Sequence, residues 1–393
     1  MKKKNFTTNQ HEQEPRIRCS KSNSKFVMFV WLVVNLLFII STQNIYAQED
    51  YLSSFSDSSR LWGNGIENVI EEAYRQFFIT RIIGGRIMNI RLPFAMNSER
   101  DTMLTRGWRI FNEGKGSPQE IWPAIEEILN SEDFAGYLNA LSSGREQVII
   151  FDMTEPAWTS TSDLFVISRI KSGVHRGLPH RPHALVSGRG ALESDVYNYL
   201  YCIGRIGVDC SGFVWHILTH VANQGNVDLS RILDRSLGAP RGSNPARFIG
   251  TAFFNSRSSQ LIAVNDEIQN LRPADVILFR DIAGTVVHSA IIQSIDLTRG
   301  VIRYLQCTNV APQDERGAHE SFIYFDPANP AISLKDPSLR WTQRRSPPFT
   351  GEEVPFTNDG EIYRHRVNGG GRVVRLRALI PIVERLSETG EQN

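Results

Sequence analysis

The sequence carries almost no net charge, has few cysteines and contains no internal repeat. Its 43 Lys and Arg residues balance 42 Asp and Glu residues, which leaves a net charge of +1. Because these charges are mixed along the chain, no basic stripe indicates nucleic-acid binding and no acidic tail indicates disorder. The four cysteines show no zinc-type pairing, and no metal site is predicted. With 41% hydrophobic residues, the 393-residue chain has enough apolar side chains for a sizeable core, in about two domains or in one elaborated domain.

The N-terminus has the pattern of a secretory leader. A polar, basic stretch at residues 2–25 precedes an apolar run at 26–40, and the small residue Ala47 follows it. This order predicts a signal peptide over residues 1–47, because the apolar run is shorter than the roughly 20 residues that span a bilayer. The alternative is an uncleaved anchor, which the long basic stretch and Ile45 favour. In both cases we expect the rest of the chain outside the cytoplasm, periplasmic or secreted, with membrane contact only if the anchor is retained.

Cys210 lies where a nucleophile is chemically useful. The stretch Asp-Cys-Ser-Gly-Phe-Val at 209–214 follows a glycine-containing turn and opens an apolar pattern at helical spacing. The apolar positions of this pattern are Phe213, Val214, Ile217, Leu218 and Val221. The spacing predicts that Cys210 begins a helix, where unpaired backbone N–H groups and the helix dipole favour the thiolate over the thiol.

Two blocks of the sequence together resemble one enzyme family. The stretch 209–214 resembles the nucleophile motif of the NlpC/P60 family of papain-like cysteine peptidases. A second block also resembles this family and follows the first in the family's order. It consists of Pro-Ala-Asp-Val-Ile-Leu-Phe at 273–279 and His-Ser-Ala-Ile-Ile at 288–292. The resemblance covers about residues 201–325. It implies an α+β, papain-like core in which the helix carrying the nucleophile packs on a small antiparallel sheet. The expected strands lie at 275–279, 288–295, 301–306 and 321–325.

The same resemblance implies site residues and a substrate. Cys210 is the implied nucleophile, His288 the implied base and Gln306 the residue that orients the imidazole. The positions that help bind the free amino end of the substrate peptide are Tyr201, Asp209 and Ser211. The implied substrate is the stem peptide of peptidoglycan, commonly cut between γ-D-glutamate and a diamino acid. No metal or organic cofactor is implied.

The chain departs from the family pattern in three ways. The separation of Cys210 from His288 is longer than usual, which predicts an insertion around 224–264, and the turn before Cys210 is short. The family usually has histidine at the third position. Gln306 can orient an imidazole, but it cannot stabilise an imidazolium as a carboxylate does. Two alternatives therefore stay open: a non-catalytic module that binds cell-wall peptide or protein partners, and an amidase or transpeptidase acting on another amide.

Three cysteines follow the leader, and an odd number in an oxidising compartment leaves at least one thiol free or bonded to another chain. The resemblance places Tyr201 and Gln306 near the site, so their neighbours Cys202 and Cys307 are a candidate pair. The alternative is that both are buried and reduced.

Outside the resemblance, the pattern divides the chain further. Residues 48–190 are predicted to form a mainly helical N-terminal region of unknown role, with short strands at 147–151 and 164–170. Residues 191–330 are the predicted catalytic domain. Residues 331–393 are a Pro-rich C-terminal extension, with an edge strand within 372–382 and a mobile tail.

Other histidines offer weaker alternatives. His216 and His220 are spaced i, i+4 on the predicted helix, a spacing that can bind a metal, but a solvated or interdomain helix face explains it better. His319 is an alternative to His288 as base, although its sequence context is loop-like.

Overall fold

The computed structural model describes fourteen stretches of the chain. They are residues 65–94, 117–142, 147–149, 156–161, 164–169, 183–185, 192–200, 206–232, 249–281, 283–308, 317–344, 353–354, 359–365 and 370–390. The predicted leader, Tyr201 and Cys202 lie outside these stretches. Within them, no helix is both long enough and apolar enough to cross a membrane.

The described helices and strands give an α+β protein. The helices are α1 (Ile66–Arg75), α2 (Pro118–Leu129), α3 (Glu132–Ser142), α4 (Glu193–Asn198), α5 (Cys210–Asn223), α6 (Thr251–Phe254), α7 (Asp359–Arg364) and α8 (Ile380–Gly390). The strands before α5 are β1 (Phe78–Ile83), β2 (Arg86–Arg91), β3 (Gln147–Ile149), β4 (Pro156–Thr161), β5 (Leu164–Arg169) and β6 (His183–Leu185). The strands after α5 are β7 (Leu261–Val264), β8 (Val276–Arg280), β9 (Val286–Asp296), β10 (Val301–Thr308), β11 (Gly317–Tyr324), β12 (Arg340–Arg344), β13 (Glu353–Val354) and β14 (Arg372–Leu376).

An eight-stranded antiparallel sheet forms the centre of the described fold. Its strand order is β13-β12-β11-β10-β9-β8-β14-β7, and every neighbouring pair is antiparallel. Four of its strands, β8 to β11, fall on the four stretches that the resemblance implied, so these four strand predictions are confirmed.

The two faces of the sheet bury separate hydrophobic clusters. Because successive side chains of a strand point to opposite faces, Leu278 packs in one cluster and Phe279 in the other. Helix α5 packs on the first face against β9 and β10, and α1 packs on α5. All five apolar side chains of the α5 pattern are fully buried there. Helix α7 lies on the second face, against β8 and β12, in a cluster that includes Trp341 and Tyr363.

The region between the leader and residue 142 is less helical than predicted, because β1 and β2 form a hairpin. Their register pairs Ile83 with Arg86 across the turn Gly84-Gly85. Both glycines have positive φ, of 57° and 79°. Two left-handed residues match the twist of a two-residue hairpin, and only glycine adopts them without strain. The short strands predicted further on, at 147–151 and 164–170, are confirmed as β3 and β5.

The C-terminal segment, which was predicted to be an extension of the domain, contributes a strand to the interior of the central sheet. An edge strand within 372–382 was predicted, but β14 lies between β8 and β7 and pairs with both. The reason is burial on both sides: Val373 packs in the second cluster and Val374 in the first. The predicted mobile tail instead includes α8, since Ile382 and Val383 pack in the first cluster.

Candidate functional site

The candidate site begins at the N-terminus of α5. Asp209 is the N-cap, with φ −82° and ψ 169°, and its Oδ1 accepts a hydrogen bond of 2.6 Å from the backbone N–H of Gly212. Its Oδ2 accepts from the hydroxyl of Ser211 at 3.0 Å. Cys210 is therefore the first residue of the helix, as the apolar spacing predicted. Its side chain is almost enclosed, with 7% of the residue exposed.

A close backbone contact fixes the turn before Cys210. The N–H of Val208 donates to the carbonyl of Pro93 at 3.0 Å. A Cβ on Gly207 would lie 2.0 Å from that same carbonyl oxygen, so only glycine fits here. Cys307 supports the turn from the sheet side, because its Sγ donates to the carbonyl of Val208 at 3.2 Å. Cys307 is a free, buried thiol, which argues against the Cys202–Cys307 disulfide that the sequence left open.

The electrostatics of Cys210 differ from the sequence expectation. Burial is the main reason why the pKa of the Cys210 thiol is raised to about 12, and the carboxylate of Asp209 contributes to this rise. Interactions with Ser289 and with the backbone of Ser211 lower the pKa without overcoming these effects. The prediction of a favoured thiolate was wrong for the free protein, because burial penalises the charged sulfur and the nearby N-cap carboxylate adds to that effect. At neutral pH Cys210 is a thiol.

His288 and Gln306 meet on neighbouring strands. His288 lies near the start of β9, and its Nε2 is 2.7 Å from Oε1 of Gln306 on β10. The ring of Phe279 lies 5.4 Å from the imidazole, centroid to centroid. Burial lowers the pKa of His288, although the carboxylates of Asp359 and Asp209 and the hydrogen bond of Gln306 act in the opposite direction. The imidazole is therefore neutral at physiological pH.

The structure brings the thiol and the imidazole to the same place in the fold. Helix α5, which begins at Cys210, packs against β9, and Ser289, the residue after His288 in β9, lowers the pKa of the Cys210 thiol. The charge of Asp209, next to Cys210 in the chain, acts on His288 as well. Since Nε2 of the ring is occupied by Gln306, Nδ1 is the ring atom left for a second partner. Thiol, imidazole and amide are the groups that acyl transfer through a cysteine requires.

A fourth polar residue, Asp359, lies behind Gln306. It opens α7 on the second face of the sheet and is 3% exposed. Its Oδ2 accepts from Nε2 of Gln306 at 2.9 Å and from the hydroxyl of Tyr304 at 2.7 Å. Sequence reasoning missed this residue. Its local sequence, Asn-Asp-Gly, is typical of any turn, and only the position of α7 against β8 and β12 brings the carboxylate here.

Of the three residues predicted to bind substrate, the structure describes two, Asp209 and Ser211. Tyr201 lies outside the described residues. Ser211 is 1% exposed, and its hydroxyl hydrogen-bonds Asp209 and the carbonyl of Ile249, at 3.3 Å for the latter. Asp209 is also buried, at 6% exposure. Both are next to Cys210, as expected, and their contacts are those of residues that build the turn; binding of a peptide amino end stays a prediction.

The three other histidines that the sequence offered as alternatives, His216, His220 and His319, all contact neighbouring side chains. His216 contacts the ring of Phe77 and the amide of Gln76, and burial lowers the pKa of His216 to about 4. His220 faces Glu72 at 3.7 Å. Within the described stretches, no three His, Cys, Asp or Glu side chains are grouped so as to hold a metal. Both ring nitrogens of His319 are engaged, Nδ1 with the carbonyl of Gly317 at 3.0 Å and Nε2 with Arg91, so this ring is not available as a base.

Comparison of the chain with family models, with curated proteins and with solved structures found no match in any of the three. The functional argument therefore depends on the geometry of the site and on its motifs.

Proposed function

We propose that this protein is a cysteine hydrolase in which Cys210 is the nucleophile, His288 the base and Gln306 the residue that orients the imidazole. One observation carries the proposal. Helix α5, which begins at Cys210, packs against β9, which carries His288, and Nε2 of His288 lies 2.7 Å from Oε1 of Gln306. A nucleophile, a base and an orienting group in this order are the parts of a cysteine peptidase site.

The burial of Cys210 determines how the first step proceeds. Because thiol and imidazole are both neutral, the proton leaves Sγ for Nδ1 of His288 as the sulfur attacks the amide carbonyl carbon. The new C–S bond and the protonated imidazole form together, and negative charge develops on the carbonyl oxygen. The backbone N–H of Cys210, at the open N-terminus of α5, is a donor suited to that oxygen.

The second half of the reaction returns the protein to its starting state. The C–N bond breaks, and the leaving amine takes the proton from Nδ1 of His288. This leaves a thioester on Cys210 and a neutral imidazole. Water then attacks the thioester and gives one proton to His288, which passes it to the departing sulfur. The carboxylic acid leaves, and thiol and imidazole are regenerated.

The substrate class is supported by the motifs. The stretches 209–214, 273–279 and 288–292 resemble the NlpC/P60 family, and β8 to β11 with α5 are elements that a papain-like core of that family requires. We accordingly propose peptidoglycan stem peptides as substrate, cut between γ-D-glutamate and a diamino acid, by a protein acting outside the cytoplasm. No cofactor takes part in the proposed mechanism.

Mass spectrometry of defined muropeptides incubated with the full chain tests this proposal. The wild-type protein and Cys307→Ala should release the same fragments, because Cys307 only supports the turn. Cys210→Ala should release none, and the masses identify the bond that is cut. Fragments from Cys210→Ala at the wild-type rate, or no fragments from any stem peptide with the wild type, would contradict the proposal.

A second candidate is a module that binds cell-wall peptide without cutting it. The observation that favours it is the enclosed thiol, whose pKa of about 12 leaves almost no thiolate at neutral pH. Calorimetric titration with the same muropeptides separates the two candidates. Tight binding with no fragments after long incubation supports the binding module, whereas fragments exclude it.

A further inference from the structure

The polar groups around Gln306 form a buried hydrogen-bond network. Nε2 of Gln306 donates to the hydroxyl of Ser321 and to Oδ2 of Asp359, both at 2.9 Å. Tyr304, which lies opposite Ser321 in the register of β10 and β11, also donates to Oδ2 of Asp359, at 2.7 Å. All four residues are buried, with at most 3% exposure. In such a network the direction of one hydrogen bond constrains the direction of the others.

The carboxylate of Asp359 sets the direction of the hydrogen bonds in this network. An ionised Asp accepts hydrogen bonds and donates none, so Gln306 must turn its NH2 group toward Asp359. Both amide hydrogens are then used, on Asp359 and Ser321. The carbonyl end, Oε1, is left to face His288, where it lies 2.7 Å from Nε2.

The amide in turn fixes the protonation of the imidazole. Oε1 of Gln306 is an acceptor, so Nε2 of His288 must carry the hydrogen. In the neutral ring Nδ1 then holds the lone pair. We infer that Asp359 is a positioning residue, which acts through Gln306 to hold His288 in the tautomer whose Nδ1 accepts the proton of Cys210. The inference rests on the proposed role of His288 as the base.

Asp359 also supplies the charge that a glutamine lacks. When His288 takes up a proton, the imidazolium lies one amide away from a buried carboxylate. The charged groups that act on the ring are Asp359 from α7 and Asp209 from the start of α5, and both raise the pKa of His288 against the effect of burial. Asp359 therefore lowers the free energy of the protonated imidazole that the first step produces.

The tautomer is measurable without any substrate. In long-range ¹⁵N–¹H spectra of the full chain labelled with ¹⁵N-histidine, the two nitrogens of a neutral ring are distinguishable. The His288 signals are assigned by their loss in His288→Gln. The wild type should show hydrogen on Nε2 and a bare Nδ1. Hydrogen on Nδ1 in the wild type would overturn the inference, whatever the variants do.

Asp359→Asn removes the charge and keeps the shape. Since Asn also has an NH2 group, Gln306 is no longer forced into one orientation, and we expect a mixture of His288 tautomers. The pKa of His288 should fall, because an attracting charge is lost. Tyr304→Phe removes one donor to Asp359 and keeps the carboxylate, so it should retain the wild-type tautomer. An unchanged tautomer and an unchanged pKa in Asp359→Asn would also overturn the inference.

Kinetics on a cleaved stem peptide give a second readout. Asp359→Asn should lower kcat at least tenfold and leave KM within twofold, because the substituted group touches the base and not the substrate. If no stem peptide is cleaved by the wild type, the proposed function fails while the tautomer result still stands. The two failures are therefore distinguishable.

Discussion

Cys210 and Asp209 are neighbours in the chain, and they act on each other electrostatically. Asp209 caps α5 by accepting from Gly212, and this contact holds a carboxylate beside the sulfur. Burial is the main cause of the raised pKa of the Cys210 thiol, and the N-cap charge adds to it. Both effects oppose the helix dipole, which favours the thiolate. A cysteine at a helix N-terminus is not necessarily a thiolate.

Alkylation of Cys210 should follow from this balance. A thiol with a pKa of about 12 is mostly protonated below that pH, so its thiolate fraction rises with pH across the whole accessible range. We expect the rate of reaction with iodoacetamide to rise about tenfold per pH unit between about pH 7 and 10. Peptide mapping measures the alkylation rate of the peptide that contains Cys210 separately from that of the other thiols.

Asp209→Asn is the matched variant for this experiment. Asparagine caps a helix as well as aspartate does, but it carries no charge. The pKa of Cys210 should therefore fall, and alkylation at any given pH should be faster than in the wild type. A rate that does not change with pH from about pH 6 to 9 would instead indicate a preformed thiolate–imidazolium pair.

Substitutions of His288 and His319 test which of the two histidines is the base. His288→Ala should lower kcat by about 10²–10⁴-fold, the usual range for general acid–base catalysis, with the far-UV circular dichroism unchanged. His319→Gln should keep most of the activity, since both nitrogens of that ring are engaged elsewhere. A large loss in His319→Gln with a normal rate in His288→Ala would reverse the assignment.

At the scale of elements, a buried ion-pair network holds α1 against the sheet. Arg303 on β10 is 4% exposed and pairs with Glu71 of α1 at 2.6 Å and with Glu320 of β11 at 2.8 Å. Its guanidinium also lies over the ring of Tyr74, at 5.5 Å. The network connects the N-terminal helix to the strand that carries Gln306, so α1 is part of the scaffold of the site.

Removal of one carboxylate from this network should be costly. Glu71→Ala leaves the charge of the buried Arg303 guanidinium balanced by one carboxylate fewer. We expect the free energy of unfolding to fall by about 3 kcal/mol. Glu72→Ala is the control. The side chain of Glu72 is 68% exposed, so its removal should change the free energy of unfolding by less than about 0.5 kcal/mol. Urea denaturation measures both, and equal midpoints for the two variants would refute the role of the network.

Periodicity explains which elements were predictable. Strands β8 and β9 have apolar runs and helix α5 has apolar residues at helical spacing, so their existence and type follow from local sequence. The hairpin of β1 and β2 was missed, because its signal is a glycine pair inside a region that otherwise looks helical. The interior place of β14 depends on β7 and β8, which are distant in the chain, and no local pattern encodes such pairing. The same holds for Asp359, which reaches the site only through the packing of α7.

For the whole molecule, the C-terminal segment completes the sheet and the site together. Trp62–Asn393 form one compact unit. A chain that ends at residue 358 lacks α7, β14 and α8, so it loses Asp359 and exposes the edges of β8 and β7. We expect this truncated chain to show no cooperative thermal unfolding by circular dichroism. The control ends at residue 390 and should melt like the full chain; equal melting of the shorter chain would contradict the expectation.

If the proposed mechanism holds, Cys210 carries the acyl group during turnover. Mass spectrometry of the peptide containing Cys210, after acid quench of the full chain during cleavage of a stem peptide, detects this acyl-enzyme. We expect this peptide to gain the mass of the acyl half of the substrate, and we expect Cys210→Ala neither to gain mass nor to release fragments. An acyl group on another residue, or release of the same fragments by Cys210→Ala, would show that Cys210 is not the nucleophile.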